Sequence, residues 1–256
     1  MLRVALPISF LFLLCSYVTG QTPRAIENRL LVHLADLEKW SNYGLNSNDA
    51  RLARANSSLK NDLIRYGSRV PEMLSYSFPR LKGKMHVTTS KDGRFRVYSW
   101  DEQTGGTMHE FNSVFQFRGA DGKVHAATAP VAGFVHDIFQ VNSADGTIYL
   151  AVSTFIASGS LSEQTMSAFK VVGTRIDSKV RVFRTPGGLQ DSISFGYDFS
   201  SVMDRKERPV RLFTFNEARN SFSFPVVEED EETPQGRVTN KLINYRFDGK
   251  HFLKVD

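Results

Sequence analysis

Residues 94–117 read RFRVYSWDEQTGGTMHEFNSVFQF, from Arg94 to Phe117, and their pattern is strand, glycine-containing loop, strand. Successive side chains of a strand point to opposite faces. In the first arm Phe95, Val97 and Ser99 therefore share one face, and Arg94, Arg96, Tyr98 and Trp100 share the other. In the second arm His109 is in phase with Phe111, Ser113, Phe115 and Phe117, opposed by Met108, Glu110, Asn112, Val114 and Gln116. His109 and Glu110 cannot be partners within that strand. Between the arms, Asp101 to Thr107 is longer than a two-residue hairpin turn. Its adjacent Gly105 and Gly106 permit positive φ or a close backbone approach by a ligand.

Working outward, Asp-Gly pairs recur at Asp92-Gly93, Asp121-Gly122, Asp145-Gly146 and Asp248-Gly249, each beside alternating apolar residues, which is a strong hairpin signal. They predict twelve strands: 85–89, 94–100, 109–118, 134–141, 148–156, 166–174, 179–184, 192–199, 210–216, 221–226, 241–247 and 251–254. One open sheet of that width would leave long edges and would curl or split. The first two turn spacings, 29 and 24 residues from Asp92 to Asp121 and on to Asp145, are not the repeat of about 40 residues that propeller blades show. The expected fold is mainly β, an irregular antiparallel domain that is propeller-like, a sandwich or a half-barrel.

Upstream, Thr22-Pro23 marks a helix start, and Ile26, Leu30, Leu34 and Leu37 recur at helical spacing, with Leu31 and Trp40 widening the stripe. A second helix is expected from about Ala50 to Tyr66, with Leu52, Ala55, Leu59 and Leu63 on one face and Gly67 as its stop. The two predict an N-terminal αα-hairpin, followed by an extended linker bounded by Pro71 and Pro79. The organisation expected is a signal peptide over 1–20, the hairpin and linker over 21–82, and the β domain over 83–256, packed as one unit.

The signal peptide is read from MLRVALPISFLFLLCSYVTGQ: Arg3, then an apolar core from Ala5 to Tyr17, then small residues, with cleavage near Gly20. The apolar run is too short for a membrane span, and Leu14 argues against a lipoprotein reading of Cys15. Cleavage leaves roughly 236 residues, enough for a well-buried core, and removes Cys15, the sole cysteine. Disulfides, thiol catalysis and cysteine metal ligands are thereby excluded from the mature chain, and a disulfide-free exported chain suits a bacterial envelope. The formal charge of +5 becomes +4 without Arg3. The basic residues are scattered and the acidic run Glu228 to Glu232 reads as a solvated loop, so nucleic acid is not an expected partner. Asn56-Ser57-Ser58 fits the glycosylation acceptor pattern.

YSWDEQTGGTMHEF, and more loosely NYRFDGKHF near the C-terminus, resemble exported bacterial proteins of unassigned function from bacteroidete-type bacteria. The resemblance implies a bacterial source and no particular activity.

Ser57-Ser58-Leu59-Lys60 matches the serine-x-x-lysine pattern of penicillin-recognising acyl-enzymes, but the companion motifs are missing. No glycine-x-serine-x-glycine elbow is present, so Ser158-Gly159-Ser160 reads as a loop. The histidines, at 33, 86, 109, 125, 136 and 251, form no close helical pair, and neither a metal nor another cofactor is expected, although neighbouring strands could bring His109, His125 and His136 together. His136 and Asp137 are adjacent on a strand and are expected to face opposite sides. Paired-carboxylate catalysis would need two of Asp101, Glu102, Glu110 and Asp137 to converge.

Two functions are expected from these residues. The first is a non-enzymatic exported protein, periplasmic or secreted, that binds an envelope glycan, peptide or protein. Its site would comprise Tyr98 and Trp100 as a stacking face with Asp101, Gln103, Thr104, Gly105, Gly106, Thr107 and His109. The alternative is a hydrolase of polysaccharide or peptide with Asp101 or Glu110 as acid/base and His109 orienting or sharing the proton. An exposed aromatic loop would favour binding, a cleft with Asp101 and His109 in hydrogen-bond reach an enzyme, and a fully packed loop a structural role.

Overall fold

A computed structural model describes residues 21–231 and 233–255, so the leader and Cys15 lie outside the described residues. The chain begins with helices α1 (Pro23–Trp40) and α2 (Asp49–Gly67). The Thr22 hydroxyl accepts from the Ala25 amide at 3.3 Å, and the Asn48 side chain accepts from the Arg51 amide at 3.0 Å, which satisfies one orphan donor at each N-terminus. Their buried stripes are those read from the sequence, with Ile26, Leu30, Leu34 and Leu37 facing Leu52, Ala55, Leu59 and Leu63.

The segment that follows is not an extended linker. It turns through a short 3-10 helix at Pro71–Leu74 and buries Met73, Leu74, Phe78 and Leu81, because its carbonyls find donors inside the protein. Arg96 donates to the carbonyls of Met73 and Tyr76 and to the Thr89 hydroxyl. The fully buried Glu27 accepts from the Tyr76 hydroxyl at 2.9 Å and the Arg80 amide at 2.8 Å.

The β domain contains β1 (His86–Thr89), β2 (Phe95–Asp101), β3 (Phe111–Arg118), β4 (Val124–Thr128), β5 (Phe134–Ser143), β6 (Gly146–Ile156), β7 (Leu161–Val172), β8 (Arg175–Asp177), β9 (Phe183–Thr185), β10 (Gly188–Gln190), β11 (Ser192–Asp198), β12 (Thr214–Asn216), β13 (Ser221–Glu228), β14 (Arg237–Phe247) and β15 (Phe252–Val255). They form three sheets, ordered β1-β2-β3-β4, then β11-β7-β6-β5 with β8 on β7, then β10-β9-β15-β14-β13-β12. All pairings are antiparallel except the short β15–β9 contact.

Residue alternation shows how the sheets stack. The β2–β3 face carrying Tyr98, Trp100 and Val114 packs under the two helices. The opposite face, with Phe95, Val97, Phe115 and Phe117, meets Val135, Tyr149, Ala151 and Phe169 of the second sheet. Phe95 stacks on Tyr149 at 4.8 Å and Phe115 meets Phe169 edge-on at 4.9 Å. The other face of the second sheet, with Ile148, Leu150, Val152, Met166 and Ala168, packs on Phe183, Phe222, Phe224, Tyr245 and Phe252 of the third. The architecture is thus helices, sheet, sheet, sheet in layers, sandwich-like at each sheet interface. It fits the irregular antiparallel domain expected, with no barrel closure among the described residues.

Three strands escape the sequence pattern, β4, β8 and β10, which are only three to five residues long. The Asp-Gly turns behave as read, with φ of +67°, +76°, +106° and +101° at Gly93, Gly122, Gly146 and Gly249. No described helix is long and apolar enough to cross a membrane.

Candidate functional site

The loop between β2 and β3 is fastened from both sides. Asp101 Oδ1 accepts from the Gln103 amide at 2.7 Å, holding Gln103 in the left-handed region at φ +62°. The Glu102 amide donates to the Glu110 carbonyl at 2.8 Å. From the helical hairpin, Asn42 donates its amide to the Gln103 carbonyl at 3.0 Å and its side chain to the Thr104 carbonyl at 3.1 Å. On the far side, the His109 amide donates to the Ile156 carbonyl at the end of β6, at 3.0 Å.

This arrangement corrects the expected roles of several residues. Tyr98 and Trp100 cannot form a stacking face for a ligand, because they are 0% and 1% exposed beneath α2. Trp100 Nε1 donates to Asn56 Oδ1 at 3.0 Å, and the Tyr98 hydroxyl donates to Gln116 Oε1 at 2.7 Å. Asn56 is buried by the same contacts and donates to the Glu102 carbonyl at 2.9 Å, so it is not presented as a glycan acceptor. Neither Gly105 nor Gly106 has positive φ. A Cβ on Gly105 would lie 1.8 Å from the Met108 carbonyl oxygen, so the close approach is by the loop's own backbone rather than by a ligand. Gly106 is in open space.

The candidate carboxylates do not converge. Glu110 accepts from the Thr104 hydroxyl at 2.6 Å, Glu102 from Asn112 Nδ2 at 2.7 Å, and Asp137 from Arg211 Nε at 2.8 Å. Asp101 instead meets His109, its Oδ2 lying 2.6 Å from Nδ1. Tyr43, in the connection between the helices, caps the pair with its hydroxyl 3.3 Å from Asp101 Oδ1 and 3.2 Å from His109 Nδ1. Burial and then the Asp101 charge push the Tyr43 phenol up to about 12, so it stays protonated and donates. His109 Nε2 makes no hydrogen bond among the described residues.

His136 and Asp137 also depart from expectation, with His136 Nδ1 2.9 Å from Asp137 Oδ2. The register shifts between Val135 and Asp137, so His136 is the extra residue of a β-bulge, and the strict alternation that would separate neighbours is broken there. His125 is paired with Asp121 beside Phe117, at the opposite end of β3 from the loop, so the histidines 109, 125 and 136 are not brought together. No cluster of three or more metal-ligating side chains occurs among the described residues.

Beside Thr107 and His109 lies an open cleft of about 420 Å³. Phe134, Ile156, Phe199, Pro209 and Val210 give it an apolar body, with hydroxyls of Thr107, Thr154 and Ser158 at intervals. Arg208 stands at its rim, donating to the carbonyls of Arg205, Glu207 and Met203 at 2.6, 2.8 and 3.1 Å. No described aspartate or glutamate lines it. No local pattern marks this cleft, because its walls come from segments spread between Thr107 and Val210.

Behind the cleft wall, His86 stacks on Phe134 at 4.3 Å. Burial, and secondarily His136, lower its imidazole to about 4. The unfolded chain, with a histidine near 6.5, takes up that proton first, so stability contributed by neutral His86 is complete above about pH 6.5 and is lost as pH falls toward 4. The melting midpoint of the wild type is expected to drop between pH 7 and 4.5 by more than that of His86→Gln, and parallel curves would show that His86 contributes nothing.

Compared with known proteins, the chain matches no family model, no curated protein and no solved structure.

Proposed function

We propose that this is an exported binding protein whose ligand lies in the cleft beside His109. The observation that carries this reading is an apolar cleft without carboxylates, rimmed by an oriented histidine and by Arg208. Its volume of about 420 Å³ is within the range of small-ligand sites. Such a lining suits a ligand with an apolar body and an acidic head, the form presented by an envelope peptide or protein tail ending in an apolar residue. The loop residues Thr107 and His109 keep a part in this site, while Trp100 acts beneath it. Export rests on the leader read at residues 1–20.

The test uses short peptides ending in Phe or Leu, with a free or amidated C-terminus, in a thermal-shift titration. Free-acid peptides are expected to raise the midpoint, with about 2.7 kcal/mol of stabilisation at a hundredfold excess over Kd, and amides less. A Cβ on Gly159, which lines the cleft, meets no atom within 4 Å, so a side chain is accommodated there and Gly159→Trp is expected to obstruct the mouth, with an unchanged unliganded midpoint as the check on the fold. Shifts that persist in Gly159→Trp, or that are the same for acid and amide, would overturn the reading.

A second reading, hydrolysis of such a peptide, is favoured by the 2.6 Å Asp101–His109 contact, which fixes the ring and leaves Nε2 to accept a proton from water. It requires turnover that His109→Gln abolishes while peptide binding persists.

A further inference from the structure

The third sheet has one face in the core and one face that no described layer covers. Two cross-strand rows lie on the open face, Thr214–Ser223–Asn244 and Asn216–Ser221–Arg246, each running over β12, β13 and β14. Strands lie about 4.8 Å apart, so each row spans roughly 10 Å. With Arg219, from the turn after β12, the rows enclose a groove of about 510 Å³.

The groove is charged in one sense. Arg219 and Arg246 are exposed, neither guanidinium has an acidic partner among the described residues, and no described carboxylate lines the groove. The acids nearest in sequence are engaged elsewhere: Glu217, near Arg219, by Lys91 of the first sheet's β1–β2 turn, and Asp248, near Arg246, by the amides of Lys250 and His251. The Asn244 amide also makes no hydrogen bond to the described protein, whereas Thr214 and Ser223 satisfy each other at 2.7 Å. Unpaired arginines facing a groove of hydroxyls and amides, with little apolar surface to anchor a side chain, match a ligand that is polyhydroxylated and anionic. Guanidinium groups bind carboxylates through two parallel hydrogen bonds, and the amide and hydroxyls can exchange hydrogen bonds with sugar hydroxyls.

We propose that this groove binds an acidic glycan, a chain bearing uronate carboxylates, at a site separate from the His109 cleft. The proposal stands independently of the cleft's ligand. The test is calorimetric titration of the full chain with a galacturonate hexamer, with cellohexaose as the neutral counterpart and polyglutamate and single-stranded DNA as anionic counterparts. Binding of the uronate oligomer is expected to weaken at least tenfold in Arg219→Gln/Arg246→Gln, with cellohexaose weaker than the uronate in the wild type. Asn244→Ala is expected to reduce uronate binding with little effect on polyglutamate. These substitutions are at the surface, and an unchanged melting midpoint shows that the fold is retained. The control Arg54→Gln/Arg175→Gln removes the same charge from α2 and from β8 of the second sheet. An equal loss in that control, equal binding of polyglutamate or DNA, or no uronate binding at all would overturn the proposal.

Discussion

Replacing Arg96 with methionine is expected to destabilise the protein by roughly 3–5 kcal/mol, the range for losing a buried charged group whose partners stay behind. Arg96 is 5% exposed and has no carboxylate partner among the described residues; its charge is held by the Tyr76 carbonyl and the Thr89 hydroxyl, both at 2.6 Å, and by the Met73 carbonyl. The rings of Phe78 and Tyr98 lie 5.7 and 5.9 Å from the guanidinium carbon. Methionine fills much of the space but leaves the Tyr76 and Met73 carbonyls without the guanidinium donor, and the Tyr98 hydroxyl, 3.3 Å from the Met73 carbonyl, gives its one proton to Gln116. Arg96→Lys is expected to recover part of the loss, since an ammonium cannot reproduce the planar fork. Urea unfolding measures both, and a change below about 1 kcal/mol in Arg96→Met would mean that this side chain does not pin the 71–85 segment.

The second large effect is at Trp100. Trp100→Ala is expected to cost about 3–5 kcal/mol, as for other buried aromatic truncations, and Trp100→Phe about 1–2 kcal/mol through the unpaired Asn56 oxygen. Measured below the lowered midpoint, any affinity for the Phe- or Leu-ended peptides of the proposed site is expected to be unchanged in Trp100→Phe. A large loss of affinity at constant stability would place Trp100 at the ligand, against its burial.

The same residue shows where sequence reading succeeds and where it stops. The two faces of residues 95–117 were legible, since alternation is a local property and a slip of one residue would have turned Phe95, Val97, Phe115 and Phe117 to the wrong side. What covers each face was not legible. Tyr98 and Trp100 looked available for stacking because their cover, α2 and Asn56, lies more than forty residues away. His136 and Asp137 show a different limit, because a bulge follows from the register of a partner strand. The helices, capped by Thr22 and Asn48, and the Asp-Gly turns were readable because their determinants are within a few residues. Of the site, Thr107 and His109, with Asp101 behind them, were legible as members of the chemically dense stretch from Tyr98 to Glu110. Tyr43, Phe134 and Arg208 were not, because only the stacking of layers brings them there.

The order of those layers follows the order of the chain. The helical hairpin comes first, then the first sheet as an unbroken meander from β1 to β4, then β5 to β8, and last the third sheet. A polypeptide appearing from its N-terminus can therefore complete each layer on the one already formed, with few contacts awaiting distant residues. The exception is β11, which pairs with β7 only after β9 and β10 of the next layer have been made. That late strand covers the part of β7 that β8 leaves unpaired, and through the chain on either side of it ties the second sheet to the third.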